Sequence, residues 1–88
     1  MGYEIDFSDK AKEHLKALKK TGDRSIMKKI LKLIEDIEKH PFEGIGKPEA
    51  LKYDLSGFWS RRINREHRLV YKVTDTGIIK IYSLKGHY

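Results

Sequence analysis

Apolar and polar positions change their period several times along the chain, and each change marks an element. Tyr3, Ile5 and Phe7 alternate with Glu4 and Asp6, the period of two that a strand with one buried face requires. This predicts a short strand over 2–7. Ser8 or Asp9 can cap a following helix, because a side-chain oxygen accepts from the free N–H groups of the first turn. Ala11, Leu15 and Leu18 then recur at helical spacing, with Lys12, Lys16, Lys19 and Lys20 off that stripe. Gly22 suits the left-handed residue that ends a helix. Asp23 can cap a second helix, in which Ile26, Ile30, Leu33, Ile34 and Ile37 form an apolar stripe widened by Met27 and Leu31. Glu35 and Lys39 add a favourable pair on adjacent turns. His40 before Pro41 ends the helix, since the residue preceding proline disfavours helical geometry. Two helices joined by so short a turn predict an antiparallel hairpin.

After a loop punctuated by Pro41, Gly44, Gly46 and Pro48, the period returns to two. Leu51, Tyr53 and Leu55 alternate and predict a short strand, closed by a turn at Ser56-Gly57. Strands are expected over 58–63, 67–74 and 78–84, with turns at 64–66 and 75–77. Short turns between consecutive strands mean antiparallel pairing. The predicted order is β-α-α-β-β-β-β over one domain, residues 1–88. The fold class is α+β, an antiparallel sheet with the helical hairpin packed on one face. Parity assigns the faces. Leu69, Tyr71 and Val73 point to the helices with Trp59 and Ile63, while Arg68 projects from the open face with Arg62 beside it. The same parity puts Arg61 on the core side, near an edge from which its guanidinium can snorkel to water.

Composition narrows the class. The 88 residues are 39% hydrophobic and 36% charged, within the range of a folded domain. The chain has no cysteine, which excludes disulfides and thiolate metal sites. No apolar run approaches a membrane span, and MGYEIDFSDK has no basic-then-apolar signal pattern, so a cytoplasmic protein is expected. The net charge of +6 is uneven: residues 1–40 carry 10 basic and 8 acidic groups, residues 41–88 carry 9 and 5. All the arginines but Arg24 lie in the second half. Arginine's planar fork suits phosphate, and a basic domain with clustered arginine reads as a polyanion binder. The lysines of the two helices read first as a solvated face.

Several chemistries have no support. His14, His40, His67 and His87 lack ligand spacing to one another or to a carboxylate pair, so no metal site is expected. There is no GxxxxGK[ST], and Gly44–Glu49 neither follows a strand nor opens a helix. No Ser/His/Asp set stands out. What remains is a metal-free and cofactor-free constellation: Glu49, Lys52, Arg62, Arg68, His87 and Tyr88, with Lys47 and Arg61 as further candidate phosphate contacts. RNA carries its own nucleophile, the 2′-OH. Cleaving it needs a base for that proton, cations for the crowded phosphate and an acid for the departing 5′-oxygen. A carboxylate, paired arginines and a histidine meet those needs, and Tyr88 can stack on a base or orient the phosphate. Each also has a duller role: a solvated glutamate, a salt-bridging arginine, a frayed terminus. His67, at a turn, reads as structural.

The run PFEGIGKPEALKYDLSGFWSRRINREHRLVY, with a chain ending in HY, closely resembles the YoeB (Txe) family of bacterial toxins within the RelE-like superfamily. The resemblance covers essentially the whole chain. It implies a toxin of a type II toxin–antitoxin system: a ribosome-dependent, metal-independent mRNA endoribonuclease that leaves a cyclic phosphate end. By position, the family's general base matches Glu49, its phosphate-stabilising arginine Arg68, its general acid His87 and its terminal tyrosine Tyr88. Its supporting basic residues match Lys52 and Arg62. The implied partners are a YefM-type antitoxin, the 70S ribosome with mRNA in the A site, and a second copy in a homodimer, with no membrane. One departure is Ile45, where family members often carry a basic residue. Two alternatives stay open: a ParE-like non-catalytic toxin that acts by binding gyrase, and a non-catalytic RNA-binding domain on the ribosome.

Overall fold

Residues 3–86 are described by the computed structural model. They form β1 (Glu4–Phe7), α1 (Asp9–Lys20), α2 (Arg24–Lys39), β2 (Glu49–Ala50), β3 (Trp59–Arg62), β4 (Arg68–Val73) and β5 (Ile78–Ser83), with a 3-10 turn at Tyr53–Leu55. Both helix starts use the polar side chains that the sequence offers. Ser8 Oγ accepts from the Ala11 amide at 3.0 Å and donates to the Tyr82 carbonyl at 2.7 Å, so one hydroxyl caps α1 and ties it to β5. Asp23 accepts from the Ser25 and Ile26 amides at the start of α2. Gly22, at φ +75°, makes the turn between the helices.

The core is where the apolar stripes meet. Ala11 and Leu18 from α1, and Ile30, Leu33 and Ile37 from α2, pack on Ile63, Leu69, Tyr71, Ile79, Ile81 and Leu84 from one face of the sheet. Trp59 and Val73 are partly buried against the same cluster, so the parity assignment of β3 and β4 holds. Leu31 is the exception on α2. It stands 61% exposed instead of widening the buried stripe.

Two expectations about strands are corrected. The sheet order is β1-β5-β4-β3-β2. β2 to β5 pair antiparallel, but β1 pairs parallel to β5, with Glu4 opposite Ile78 and Phe7 opposite Ile81. The sheet is therefore mixed. Tight turns dictate direction only between consecutive strands, and β1 reaches the sheet through the helical hairpin, the long connection that parallel pairing needs. The alternating Leu51, Tyr53 and Leu55 do not form a strand either. Pairing with β3 covers only Glu49 and Ala50, and the chain then turns. Tyr53 has a left-handed φ of +57° and is 92% exposed. The Leu55 amide bonds to the Lys52 carbonyl and the Ser56 amide to that of Tyr53, so the local turn takes the groups a ladder would have used.

Candidate active site

The loop between α2 and β2 carries one end of the site, and a buried arginine holds it. Arg61 is fully buried. A guanidinium has five N–H donors and no acceptor, and each donor of Arg61 has a protein partner. Nε donates to Tyr71 Oη at 3.2 Å, Nη1 to Asp36 Oδ2 and the Ile45 carbonyl, and Nη2 to the carbonyls of His40 and Glu43. Tyr71 Oη in turn donates to the Pro41 carbonyl, and Asp36 Oδ2 also accepts from the Ile45 amide. The carbonyls of His40, Pro41, Glu43 and Ile45 are thus all gathered onto one buried cluster. The hydrogen bond from Arg61 holds the Asp36 carboxyl below the ordinary carboxylate range, against the opposing effect of burial. Burial pushes the Tyr71 phenol up, partly offset by the bond from Arg61.

The expectation that Arg61 snorkels to water and contacts RNA is therefore corrected. Core-side parity was right, but the side chain turns inward to acceptors instead of outward to solvent. A sequence signal was present: Asp36 is a carboxylate between Leu33 and Ile37 on the apolar stripe, and Tyr71 is a phenol among inward-facing residues. A half-buried carboxylate and a buried phenol call for a donor, and Arg61 is the inward cation on the adjacent strand.

Close packing fixes the loop's glycines. A Cβ on Gly44 would lie 2.0 Å from Asp36 Oδ2, and one on Gly46 2.7 Å from Leu33 Cδ2. The Gly46 carbonyl accepts from the Arg62 amide at 2.7 Å. Lys47 follows in a left-handed conformation, φ +51°, and Pro48 leads into β2.

Strand register then assembles the polar groups. Glu49 lies opposite Ser60, Ser60 opposite Val70, and Arg62 opposite Arg68. Successive side chains point to opposite faces, so Glu49, Ser60, Arg62 and Arg68 share the face away from the helices. A cavity of about 230 Å³ is lined by Lys47, Pro48, Glu49, Ser60, Arg62 and Arg68. A wider one of about 550 Å³ adjoins it, sharing Lys47, Arg62 and Arg68 and adding Lys29, Gly46, Ile63, Asn64 and Arg65. One carboxylate thus sits in a cavity with three cations, and Lys29 and Arg65 lie at its extension. Arg68 Nη1 is buried and has no hydrogen-bond partner among the described residues. A buried, unsatisfied guanidinium nitrogen is costly, and in a cationic cavity it favours an anion.

Of the residues singled out in the sequence, Glu49, Arg62, Arg68 and Lys47 come together. Lys52 is exposed at the start of the 3-10 turn and lines neither cavity. His87 and Tyr88 lie outside the described residues. Gly86 is held beside the site: its carbonyl accepts from the Arg68 amide at 2.8 Å and its amide donates to His67 Nδ1 at 3.1 Å. His67 is buried, in keeping with a structural role. Ser60, Lys29 and Arg65 were missed as lining residues, because their places depend on strand pairing and on where α2 passes the sheet edge. Among the described residues, no group of three or more His, Cys, Asp or Glu side chains is arranged to hold a metal ion, and no helix is long and apolar enough to cross a membrane.

Residues 7–88 match the sequence profile of the YoeB-like toxins of bacterial type II toxin–antitoxin systems. The chain belongs to this family. It is 59% identical to Toxin YoeB of Escherichia coli strain K12 over 66 residues, 75% of this chain and 77% of that one. Its fold matches a YoeB dimer from Staphylococcus aureus with a TM-score of 0.87 and 49% identity, covering 98% of both chains. The YoeB of a heterotetrameric YoeB–YefM complex from the same species gives a TM-score of 0.85 at the same identity and coverage. The two-helix, mixed-sheet fold described above is thus the YoeB fold.

Proposed function

We propose that this YoeB-family toxin is an endoribonuclease that cuts mRNA in the ribosomal A site. The observation that carries the reading is that one cavity is lined by both Glu49 and Arg68, whose Nη1 is buried and has no hydrogen-bond partner among the described residues. Glu49 takes the proton from a ribose 2′-OH. The 2′-oxygen attacks the adjacent phosphorus, and the bond from phosphorus to the 5′-oxygen breaks. Arg68 and Arg62 stabilise the extra negative charge on the pentacoordinate phosphate, where preorganised donors act most strongly. An acid returns a proton to the departing 5′-oxygen, leaving a 2′,3′-cyclic phosphate and a 5′-OH. His87 is assigned as that acid, and Tyr88 as the residue that orients the phosphate or stacks on a base. These two assignments rest on family resemblance and on the anchoring of Gly86 next to Arg68. Lys47 supplies a phosphate contact in the cavity, and Lys52, outside it, is assigned, from family resemblance, to the flanking RNA backbone.

The partners follow the same reading. A chain of net charge +6 suits an acidic antitoxin segment, and the S. aureus relative is found with YefM and as a dimer. We assign a YefM-type antitoxin, a homodimer and the programmed ribosome to this chain. The test is a defined mRNA, free and bound in programmed ribosomes, with the ends of any fragments mapped. New ends bearing cyclic phosphate and 5′-OH, formed only with ribosomes, are expected. Translation arrest with no new ends would overturn the nuclease reading in favour of inhibition by binding.

A further inference from the structure

Beyond β5 the chain leaves the sheet ladder, and its backbone is taken up by two imidazoles. The Leu84 amide donates to Nδ1 of His14, on α1, at 3.1 Å. Two residues further on, the Gly86 amide donates to Nδ1 of His67, just before β4, also at 3.1 Å. A third bond, from the Arg68 amide to the Gly86 carbonyl, completes the hold. We infer that His14 and His67 are positioning residues: an uncharged pair that clamps the chain end beside the cavity, so that protonation releases it. The proposal rests on the reading that residues following Gly86 serve the nuclease site.

The chemistry of imidazole carries the argument. A ring nitrogen accepts a hydrogen bond only when it bears no proton, and in imidazolium both nitrogens are donors. Each clamp therefore requires a bare Nδ1. Protonation would set an N–H against the N–H of the tail and turn an attraction into a clash. The surroundings add to this. Facing His14 are Lys10 on its own helix, Lys85 on the tail and His67 across it. Burial first, then these cations, hold His14 below the ordinary imidazole value. Facing His67 are His14, the flanking Arg68, and Glu66, whose Oε1 lies 3.8 Å from His67 Nε2. A charge on His67 thus disfavours a charge on His14. Because the folded form of His14 resists protonation, its clamp is intact above about pH 6.5 and is lost as pH falls through the lowered value.

The test follows the Leu84 and Gly86 amides of the full-length protein by hydrogen exchange from about pH 8 to about pH 5, alongside the imidazole ¹⁵N shifts. The shifts are expected to show Nδ1 unprotonated in both rings at the upper end. Protection of the Leu84 amide should fall by up to about tenfold per pH unit from about pH 6.5 down to the lowered folded value of His14 and level off below it, and that of the Gly86 amide should also fall on acidification. In the His14→Asn/His67→Asn double variant the amide oxygens take the place of Nδ1 without titrating, so protection, and the acid limb of mRNA cleavage, should flatten. Protonated Nδ1 atoms, or wild-type protection that does not change with pH, would overturn the inference. So would an equal decline in the double variant. Should that variant not fold, the wild-type titration decides alone. Loss of protection without loss of cleavage would leave the clamp standing and contradict the role given to the chain end. Absence of cleavage at every pH would contradict the nuclease reading, while the amides still judge the clamp.

Discussion

Arg62 and Arg68 are direct cross-strand partners on β3 and β4. Like charges in that position destabilise a sheet by roughly 0.2–1 kcal/mol, and the register is pinned on both sides, so the pair cannot drift apart by slipping. Arrangements that oppose stability are expected where a charged ligand relieves them. Arg62→Gln should therefore stabilise the free protein by up to about 1 kcal/mol while slowing mRNA cleavage. Denaturant unfolding and a ribosome cleavage assay on the same preparation check both halves. A variant that is less stable would show that Arg62 serves the fold and not a ligand.

The Arg61 cluster makes the opposite prediction, a large effect on the fold. Arg61→Met leaves the Asp36 carboxylate, Tyr71 Oη and the three loop carbonyls of His40, Glu43 and Ile45 without the guanidinium. Because the Asp36 carboxylate keeps some contact with water, the cost is expected at about 3 kcal/mol, the low end for breaking a buried ion pair. Tyr71→Phe removes one hydroxyl from the same cluster and should cost about 1–3 kcal/mol. Chemical denaturation measures both. In the milder Tyr71→Phe protein, faster exchange of amides in 40–46 is expected while the β4 and β5 amides stay protected.

Asp36 gives that cluster a pH signature. Its folded pKa is lowered, chiefly by the hydrogen bond from Arg61. A carboxylate of this kind contributes stability that is fully present above its unfolded value of 3.8 and is lost as pH falls through the lowered folded value. Acid titration of stability should show this loss in the wild type. Asp36→Asn should be less stable at neutral pH and should lose less on acidification.

Two glycines separate backbone strain from steric conflict. Gly77 has φ +84° and open space around its Cβ position, whereas Gly44 has φ +118° and would place a Cβ 2.0 Å from Asp36 Oδ2. Gly77→Ala should cost about 1 kcal/mol from its left-handed backbone alone. Gly44→Ala should cost more, because it also displaces the carboxylate that binds Arg61. Thermal unfolding of the two variants, compared directly, tests the difference.

These contrasts show what the chain's pattern could and could not reveal. The helices, their caps and the faces of β3 and β4 follow from periods of 3.6 and 2, because burial selects one side of each element. The parallel pairing of β1 with β5 did not follow, since no local signal links residues 4–7 to 78–81. The turn at Tyr53 was hidden because three alternating apolar residues look the same whether or not a partner strand continues beside them. Glu49, Arg62 and Arg68 were readable from residue type, parity and family resemblance. Arg61 was misread because a charged residue's default is the surface, and only Asp36, Tyr71 and a set of loop carbonyls, brought together by the fold, reverse that default.

The central claim is that Glu49 and Arg68 form one phosphodiester-cleaving site. Its most direct measurement is the single-turnover rate of A-site mRNA cleavage on programmed ribosomes by wild type, Glu49→Gln and Arg68→Ala. Circular dichroism and antitoxin binding serve as controls for the fold. Each variant is predicted to cleave about 10²–10³-fold more slowly with the fold intact and antitoxin still bound. Wild-type cleavage rates in both variants would contradict the assignment of the site.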